Sequence, residues 1–380
     1  MEVNHSRFKI QEILSSVEDW RLRRCRLHEL VDILFLSLSA MLSGAESFTE
    51  IEDFGEERLD WLRKYVSLSN GIPSHDTIRR IFMEMSPDAF HQCFERFVDE
   101  LLSPLSGELI SVDGKQLRGM KSLKDGKYGF YLVSAWSHSQ GLCLAQKRVS
   151  EKSNEMTALP ELLSMLDLTG RVVSIDAMGT QRNIAAQIIE QKGDYVLSLK
   201  ENQGSLYEEV VAFFEQEAQS DFIFVQTDQA QQWDKGHGRI ERRDCHVAFD
   251  VQSLRNYPKW KGVNSMIKID TQRWINGKSQ TKTRYYISSL KTSAEHLNRC
   301  IRNHWGIENS LHWVLDVTFH EDQSRIRTDH APQNMALLRK LAINLIKKNK
   351  GKYSIKAARL KAAWNTKVLE KFLFGEIYNA

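Results

Sequence analysis

Two short apolar runs, each emptying into an aspartate, limit what this chain can fold into more than any other feature. Leu109–Arg118 reads LISVDGKQLR: Leu109, Ile110 and Val112 supply apolar bulk, and Asp113-Gly114-Lys115 breaks the run. Arg171–Met178 reads RVVSIDAM, with Val172, Val173 and Ile175 ahead of Asp176 and a small-residue turn. Runs of this kind, bounded by turn formers, read as buried strands. A strand fixes a side chain at its end and the turn exposes it, so both acids stand where chemistry is commonly built. The expectation is a strand ending at each aspartate.

The sequence changes period around these strands. Residues 1–104 read as a helical N-terminal domain able to bind DNA, with helices over Leu27–Leu42, Phe48–Tyr65, His75–Met83 and Pro87–Leu102. Ser74 is a good N-cap for the third. SHDTIRRIF at 74–82 matches the second helix of a helix-turn-helix, with Arg79 and Arg80 free for DNA, and matches a plain helical bundle at least as well. Ser103-Pro104 closes this part. Residues 105–220 then alternate. The Asp113 strand is followed by a turn at Gly126–Gly129, strands at Phe130–Trp136 and Leu142–Val149 joined at Gly141, and a helix over Thr157–Leu168. The Asp176 strand, a helix over Thr180–Gln191, a strand at Tyr195–Leu199 and a helix over Gly204–Ala218 complete it. Residues 221–292 read as a β-rich insertion, with strands Phe222–Gln226, Arg243–Phe249, Ser265–Thr271 and Arg284–Ser289 and basic loops such as 235–239. Residues 293–335 hold a strongly helical segment, and 336–380 a basic helical tail.

The order β-β-β-α-β-α-β-α predicts an α/β protein with a mixed sheet flanked by helices, joined to an all-α N-terminal domain. That order is the one of the ribonuclease-H-like fold. There the first and fourth strands lie side by side, each ending in an acid, and a later helix brings a third. Ile301–Leu315 reads IRNHWGIENSLHWVL, and at 3.6-residue spacing Ile301, His304, Trp305, Glu308, Leu311, His312 and Leu315 share one face. Glu308 is the acid on that apolar and aromatic face, either turned towards Asp113 and Asp176 or paired to an arginine at the surface. Asp316, Glu321 and Asp322 offer a second acidic group. His304 and His312, at i−4 and i+4 from Glu308, also have the spacing of a zinc site. Trp305 and Trp313 read as core.

Composition bounds the setting. At 42% hydrophobic and 27% charged this is an ordinary soluble chain. Its most apolar stretch, Leu30–Leu42, carries Asp32 and is too short to span a bilayer, and no export signal is seen. Cys25, Cys93, Cys143, Cys245 and Cys300 are scattered and odd in number, which predicts reduced thiols and a cytoplasmic location. The net charge is +3, but 339–371 alone carries eleven Lys and Arg against one acid, Glu370, so the rest of the chain is −7. A basic segment on an acidic body points to a polyanion such as nucleic acid, against the alternative of a solvated helix pair.

Longer motifs now fall into a pattern. DGKQLRG at 113–119, SIDAMGTQ at 174–181, GRIERR at 238–243 and HWGIENSLHWVLDVTFHED at 304–322 closely resemble the insertion-sequence transposases called H-repeat-associated proteins, the ISAs group. FTEIEDFGEERLDWL and GIPSHDTIRRIF extend the resemblance into the N-terminal part, so it covers nearly the whole chain. The resemblance implies a DDE transposase: a nucleoid-associated enzyme, a homodimer on paired inverted-repeat ends, that cuts those ends and joins 3′-hydroxyls to target DNA. Asp113, Asp176 and Glu308 are then the three metal-binding acids, 63 and 132 residues apart. The metal is Mg²⁺, with Mn²⁺ able to substitute, because phosphodiester cutting needs charge stabilised on attacking and leaving oxygens and Mg²⁺ takes hard oxygen ligands. Three clustered acids should raise one another's pKa until a cation is bound. Wider relatives carry Tyr, Arg and Lys around the glutamate; here Ile301, His304 and Leu315 stand there, leaving Arg302, His304 or His312 to replace a phosphate clamp. Lys115 and Arg118 are placed to contact the scissile strand. Lys235, His237, Arg239, Arg242 and Arg243 in the insertion, and Lys347, Lys348, Lys350, Lys352 and Lys356 in the tail, are placed for DNA phosphates. Two rivals differ in class: a catalytically silent DNA-binding relic of a transposase, and a zinc hydrolase built on His304, Glu308 and His312.

Overall fold

The computed structural model describes residues 5–102, 107–120, 130–149, 155–219, 225–236, 238–275 and 277–375. The turn expected at Gly126–Gly129, the boundary at Ser103-Pro104 and the basic loop's His237 lie outside the described residues. Up to Leu101 the described chain is helical: α1 (His5–Ser15), α2 (Leu30–Leu42), α3 (Phe48–Glu57), α4 (Leu59–Leu62), α5 (His75–Glu84) and α6 (Pro87–Leu101). Local chemistry sets the starts. Ser47 and Glu50 close a capping box on α3, Ser74 accepts from the Thr77 amide on α5, and Ser86 with Pro87 opens α6. The helix expected over Phe48–Tyr65 is split at Arg58, where ψ is 16°. The sequence reading had no counterpart of α1.

β1 (Leu109–Leu117), β2 (Phe130–Ser137) and β3 (Leu142–Arg148) form an antiparallel meander, as the glycine-bounded turns implied. Then come α7 (Glu155–Ser164), β4 (Val172–Ile175), α8 (Arg182–Glu190), β5 (Asp194–Leu199) and α9 (Ser205–Gln219), with β4 parallel to both β1 and β5. β6 (Thr227–Gly236), β7 (Arg239–Ala248), β8 (Ser265–Ile275) and β9 (Lys278–Ser288) complete one mixed sheet in the order β3-β2-β1-β4-β5-β9-β8-β7-β6.

The strands differ from expectation in their extent. β1 does not end at Asp113 but runs on to Leu117 along β2; only its other neighbour, β4, stops at Ile175. The four later strands, expected as a β-rich insertion, extend the main sheet, because β9 pairs with β5 through Leu197 and Ile287. The strand expected at Phe222–Gln226 lies largely outside the described residues; Thr227–Gly236 forms β6, which pairs with β7 up to Gly236 and Arg239 on either side of the basic loop.

After the sheet come α10 (Ala294–His304), a turn of π-helix at Glu308–His312, α11 (Trp313–Thr318), α12 (Ala331–Asn349), α13 (Ile355–Trp364) and α14 (Thr366–Phe374). Side-chain alternation divides the sheet faces. Leu109, Val172, Val196, Ile267 and Tyr286 pack under Leu297 and Ile301 of α10. Ile110, Val112, Val173, Ile175 and Leu197 belong to the larger core, which is continuous with the N-terminal helices and with α12.

The basic tail is corrected as well. α12 is buried along almost its whole length and lies against α2, α5, α6 and β3. Asn334 donates to the carbonyls of Phe82 and Met85, satisfying the end of α5. Asn344 accepts from the Cys143 amide and donates to the Cys143 carbonyl, both at 2.8 Å, so a side chain covers the open edge of the sheet at β3. No helix among the described residues is long and apolar enough to cross a membrane.

Candidate active site

The register of β1 against β4 builds the site. Ser111 faces Ser174 and Val112 faces Ile175, so the next residue on each strand, Asp113 and Asp176, leaves the last paired rung side by side. Both share the sheet face of Leu109 and Val172, the one under α10. Asp113, Asp176 and Glu308 line one cavity there, together with Ser174, His304 and Trp305. Asp176 sits in a built turn. Its Oδ1 accepts from the amides of Met178 (3.1 Å) and Gly179 (3.2 Å). Thr180 Oγ1 donates to the Asp176 carbonyl and to Ser198, while Asn202 and Gln203 both donate to the Ala177 carbonyl at 2.8 Å. Sequence reasoning missed these supports. The run KENQG at 200–204 reads as a generic loop, and nothing in it announces a brace.

Gly179 is required by packing. A Cβ there would come within 2.4 Å of Ile175 Cγ2 and 2.7 Å of Leu159 Cδ1. Gly179→Ala is expected to cost about 1–3 kcal/mol through overpacking, read as a lower urea midpoint at unchanged m-value. An unchanged midpoint would show that the turn yields freely.

The π-turn sets the third acid. Glu308 Oε2 lies 3.0 Å from His312 Nδ1, and Asp113 Oδ2 lies 3.5 Å from the same nitrogen. The ligand atoms of Asp113, Glu308 and His312 fall within 4.8 Å of one another, the one such group among the described residues. Asp176 lines the same cavity but is not a member of that tight group. Burial pushes the Asp113 carboxyl up to about 6; the His312 charge opposes this and Asp176 adds to it. Glu308 moves the other way, held below the usual carboxylate range by its hydrogen bond from His312. Of the rise expected among clustered acids, Asp113 shows one, led by burial and added to by Asp176 and Glu308, whereas Glu308 goes down. The zinc triplet is not assembled: His304 turns to Ser174 Oγ, 3.0 Å from its Nδ1, and burial holds its pKa low.

Lys115 is corrected. It shares the face of Asp113 and is half-buried as a whole residue, its side chain 9% exposed and its Nζ at 2.6 Å from Asp316, 3.2 Å from Asp322 and 3.3 Å from Glu321. Burial depresses its pKa, and the three carboxylates, Glu321 first, more than reverse this. Glu321 also faces Arg339 at 3.8 Å. The second acidic group is therefore bound up with buried cations. Its members sit on α11 and the segment after it, so Lys115 ties the first strand to the chain that follows Glu308.

The other cations expected at DNA divide into two sets. Arg302 is clamped by Glu241 and Asp234. Arg242 pairs with Asp244, and Arg243 is buried beside Glu241. His304 is enclosed, as described. Lys347 lies over Trp136 at 4.2 Å, and burial lowers its pKa to about 8. Arg339, Lys340 and Arg359 of the basic segment are buried. Arg118, Arg239 and Lys348 are exposed, although Lys348 donates to the Leu101 carbonyl. Trp305 and Trp313, expected in the core, are 54% and 57% exposed.

Residues 11–98 match the family model described as DDE_Tnp_1-associated, and residues 104–345 match the one described as Transposase DDE domain. "Putative transposase YncI" of Escherichia coli O157:H7 is 39% identical over 95% of this chain and 93% of its own length. "H repeat-associated putative transposase YhhI" of Escherichia coli K12 is 38% identical over 97% of this chain and 98% of its own. Among solved structures, a cryo-EM structure of the piggyBac transposase synaptic complex with hairpin DNA aligns over 99% of this chain and 80% of that one. The TM-score is 0.44 at 11% identity, a likeness too slight to argue from.

Proposed function

This chain belongs to the DDE transposases and is an insertion-sequence transposase, and on that premise we propose that Asp113, Asp176 and Glu308 are its catalytic acids. The observation that carries the assignment is the single cavity lined by all three, delivered by adjacent rungs of β1 and β4 and by the π-turn after α10. The strand order β3-β2-β1-β4-β5 supports a ribonuclease-H-like core, with the last four strands as its extension.

The donor set fits a divalent cation. Carboxylate oxygens suit Mg²⁺ or Mn²⁺, and a carboxyl held near 6 by burial and a neighbouring acid gains most from a positive charge. Asp113, Asp176 and Glu308 would hold the metal, which when bound activates a water or a 3′-hydroxyl and offsets charge on the phosphate oxygens. The chain's own residues do the rest. The Met178 and Gly179 amides fix Asp176. His312 Nδ1 lies within 3.5 Å of both Asp113 and Glu308 and so joins the two acids. The partner is DNA, the element ends first and then the target, with the exposed Arg239, and Arg118, exposed although 3.7 Å from Asp322, placed to meet phosphates; the working unit is a homodimer on paired ends in the cytoplasm, associated with the nucleoid.

The test is direct. Purified protein with Mg²⁺ and a duplex carrying the DNA that flanks its coding region is expected to release a 3′-hydroxyl end and join it to a second duplex. Chelation should stop both steps. Binding without cutting in either Mg²⁺ or Mn²⁺ would favour the silent DNA-binding relic instead.

A further inference from the structure

The acid cavity does not close on itself. Ala177, Ser198, Lys200, Arg284 and Trp305 line both it and a neighbouring groove that runs on past Lys282 and Met178. Lys200 follows the end of β5, and Lys282 and Arg284 project from one face of β9. Tyr286, two residues further along β9 on that face, reaches the acid cavity. Lys282 and Arg284 are therefore about 7 Å apart along a line leading away from the acids. None of the three cations forms an ion pair among the described residues, unlike Arg242, Arg302 and Lys115. The groove's one lining acid is Glu201. Trp305 and Met178 are large apolar side chains left 54% and 52% exposed on its wall.

We propose that this groove holds the DNA strand on one side of the scissile phosphate, with Lys200, Lys282 and Arg284 on successive phosphates and Trp305 stacked on a base. The charge logic is simple. A pocket of acids repels a phosphate, so cations beside it must hold the strand in place. A polyanion also releases counterions when cations neutralise it. An indole face accepts any base, so this contact positions without reading sequence. The proposal rests on the reading of the acid cavity as the cutting site.

The experiment uses the full chain in chelator and a fluorescein-labelled duplex carrying the DNA that flanks the coding region, with anisotropy read across a salt series. Lys200→Gln, Lys282→Gln and Arg284→Gln should each flatten the slope of log affinity against log salt by about 0.9, and the triple variant by about three times that. Trp305→Ala should weaken binding roughly 5- to 100-fold with the slope unchanged. Lys367→Gln, exposed on α14, is the control and should change neither. Lys200 and Lys282 are exposed and Arg284 is half-buried, and matched circular dichroism melts would confirm folding. Wild-type slopes in all three glutamine variants, with the wild type still cutting in Mg²⁺, would overturn the groove and leave the reading of the cavity intact. Failure of the wild type to cut with any divalent ion would overturn both.

Discussion

Asp113→Asn is expected to abolish strand cutting and, at the same time, to make the metal-free protein more stable at neutral pH. The loss should be about 10³-fold or more, the factor that roughly 4 kcal/mol of missing transition-state stabilisation gives. The gain follows from the raised carboxyl. Asp113 titrates near 6 in the fold against 3.8 as a free side chain. Between those values the folded chain holds a proton that the unfolded chain releases, so stability falls as pH rises through the window. Above pH 6 the cost is complete, up to about 3 kcal/mol; below pH 4 it is absent. Asparagine carries no such cost. Urea midpoints in chelator should therefore favour the variant at pH 7 and converge with wild type near pH 4. Adding Mg²⁺ should raise the wild type alone. Retained cutting, or a stability difference indifferent to pH, would remove Asp113 from the role given to it.

Lys115→Met is expected to carry the largest stability cost of any single change near the site. It leaves Asp316, Asp322 and the enclosed Glu321 without their shared cation. Breaking one side of a buried charge network costs about 3–5 kcal/mol, because the remaining charges stay desolvated. Glu321 would keep only Arg339 and Lys340, and both are themselves held low in pKa by burial. The thermal midpoint should fall by several degrees. A shift below about 1 kcal/mol, the range of surface pairs, would mean that water reaches these carboxylates.

The two aspartates were legible because burial on both faces leaves a strand almost wholly apolar, and an acid that ends such a run stands out. Glu308 was legible as the one acid on a nonpolar helical face. The π-turn that aims it left no sequence signal, since Glu308–His312 has no proline or glycine to mark a change of hydrogen bonding. The four later strands were misjudged in extent for a related reason. Thr227–Gly236 is polar on both sides and half exposed throughout, so it owes its place to ladder hydrogen bonds that hydrophobic period does not report. The turn between β8 and β9 did carry a signal, Asn276-Gly277, with Gly277 at φ +75°. The buried cations misled most. Lys340 and Arg359 look like solvent-facing charges in a lysine-rich stretch. Their partners, the Gln146 amide oxygen and the carbonyls of Met41 and Ala45, lie far away along the chain.

The burial of α12 bears on how the molecule is made. A ribosome delivers Ala331–Asn349 only after α2, α5, α6 and the whole sheet, yet this helix is the centre on which those earlier helices must close. Until it emerges, the leading helices lack their common partner and β3 keeps a bare edge. A transcript cut short before that point would yield a chain unable to complete the packing of α2, α5 and α6. A folded, cutting enzyme is therefore expected only once α12 has been made.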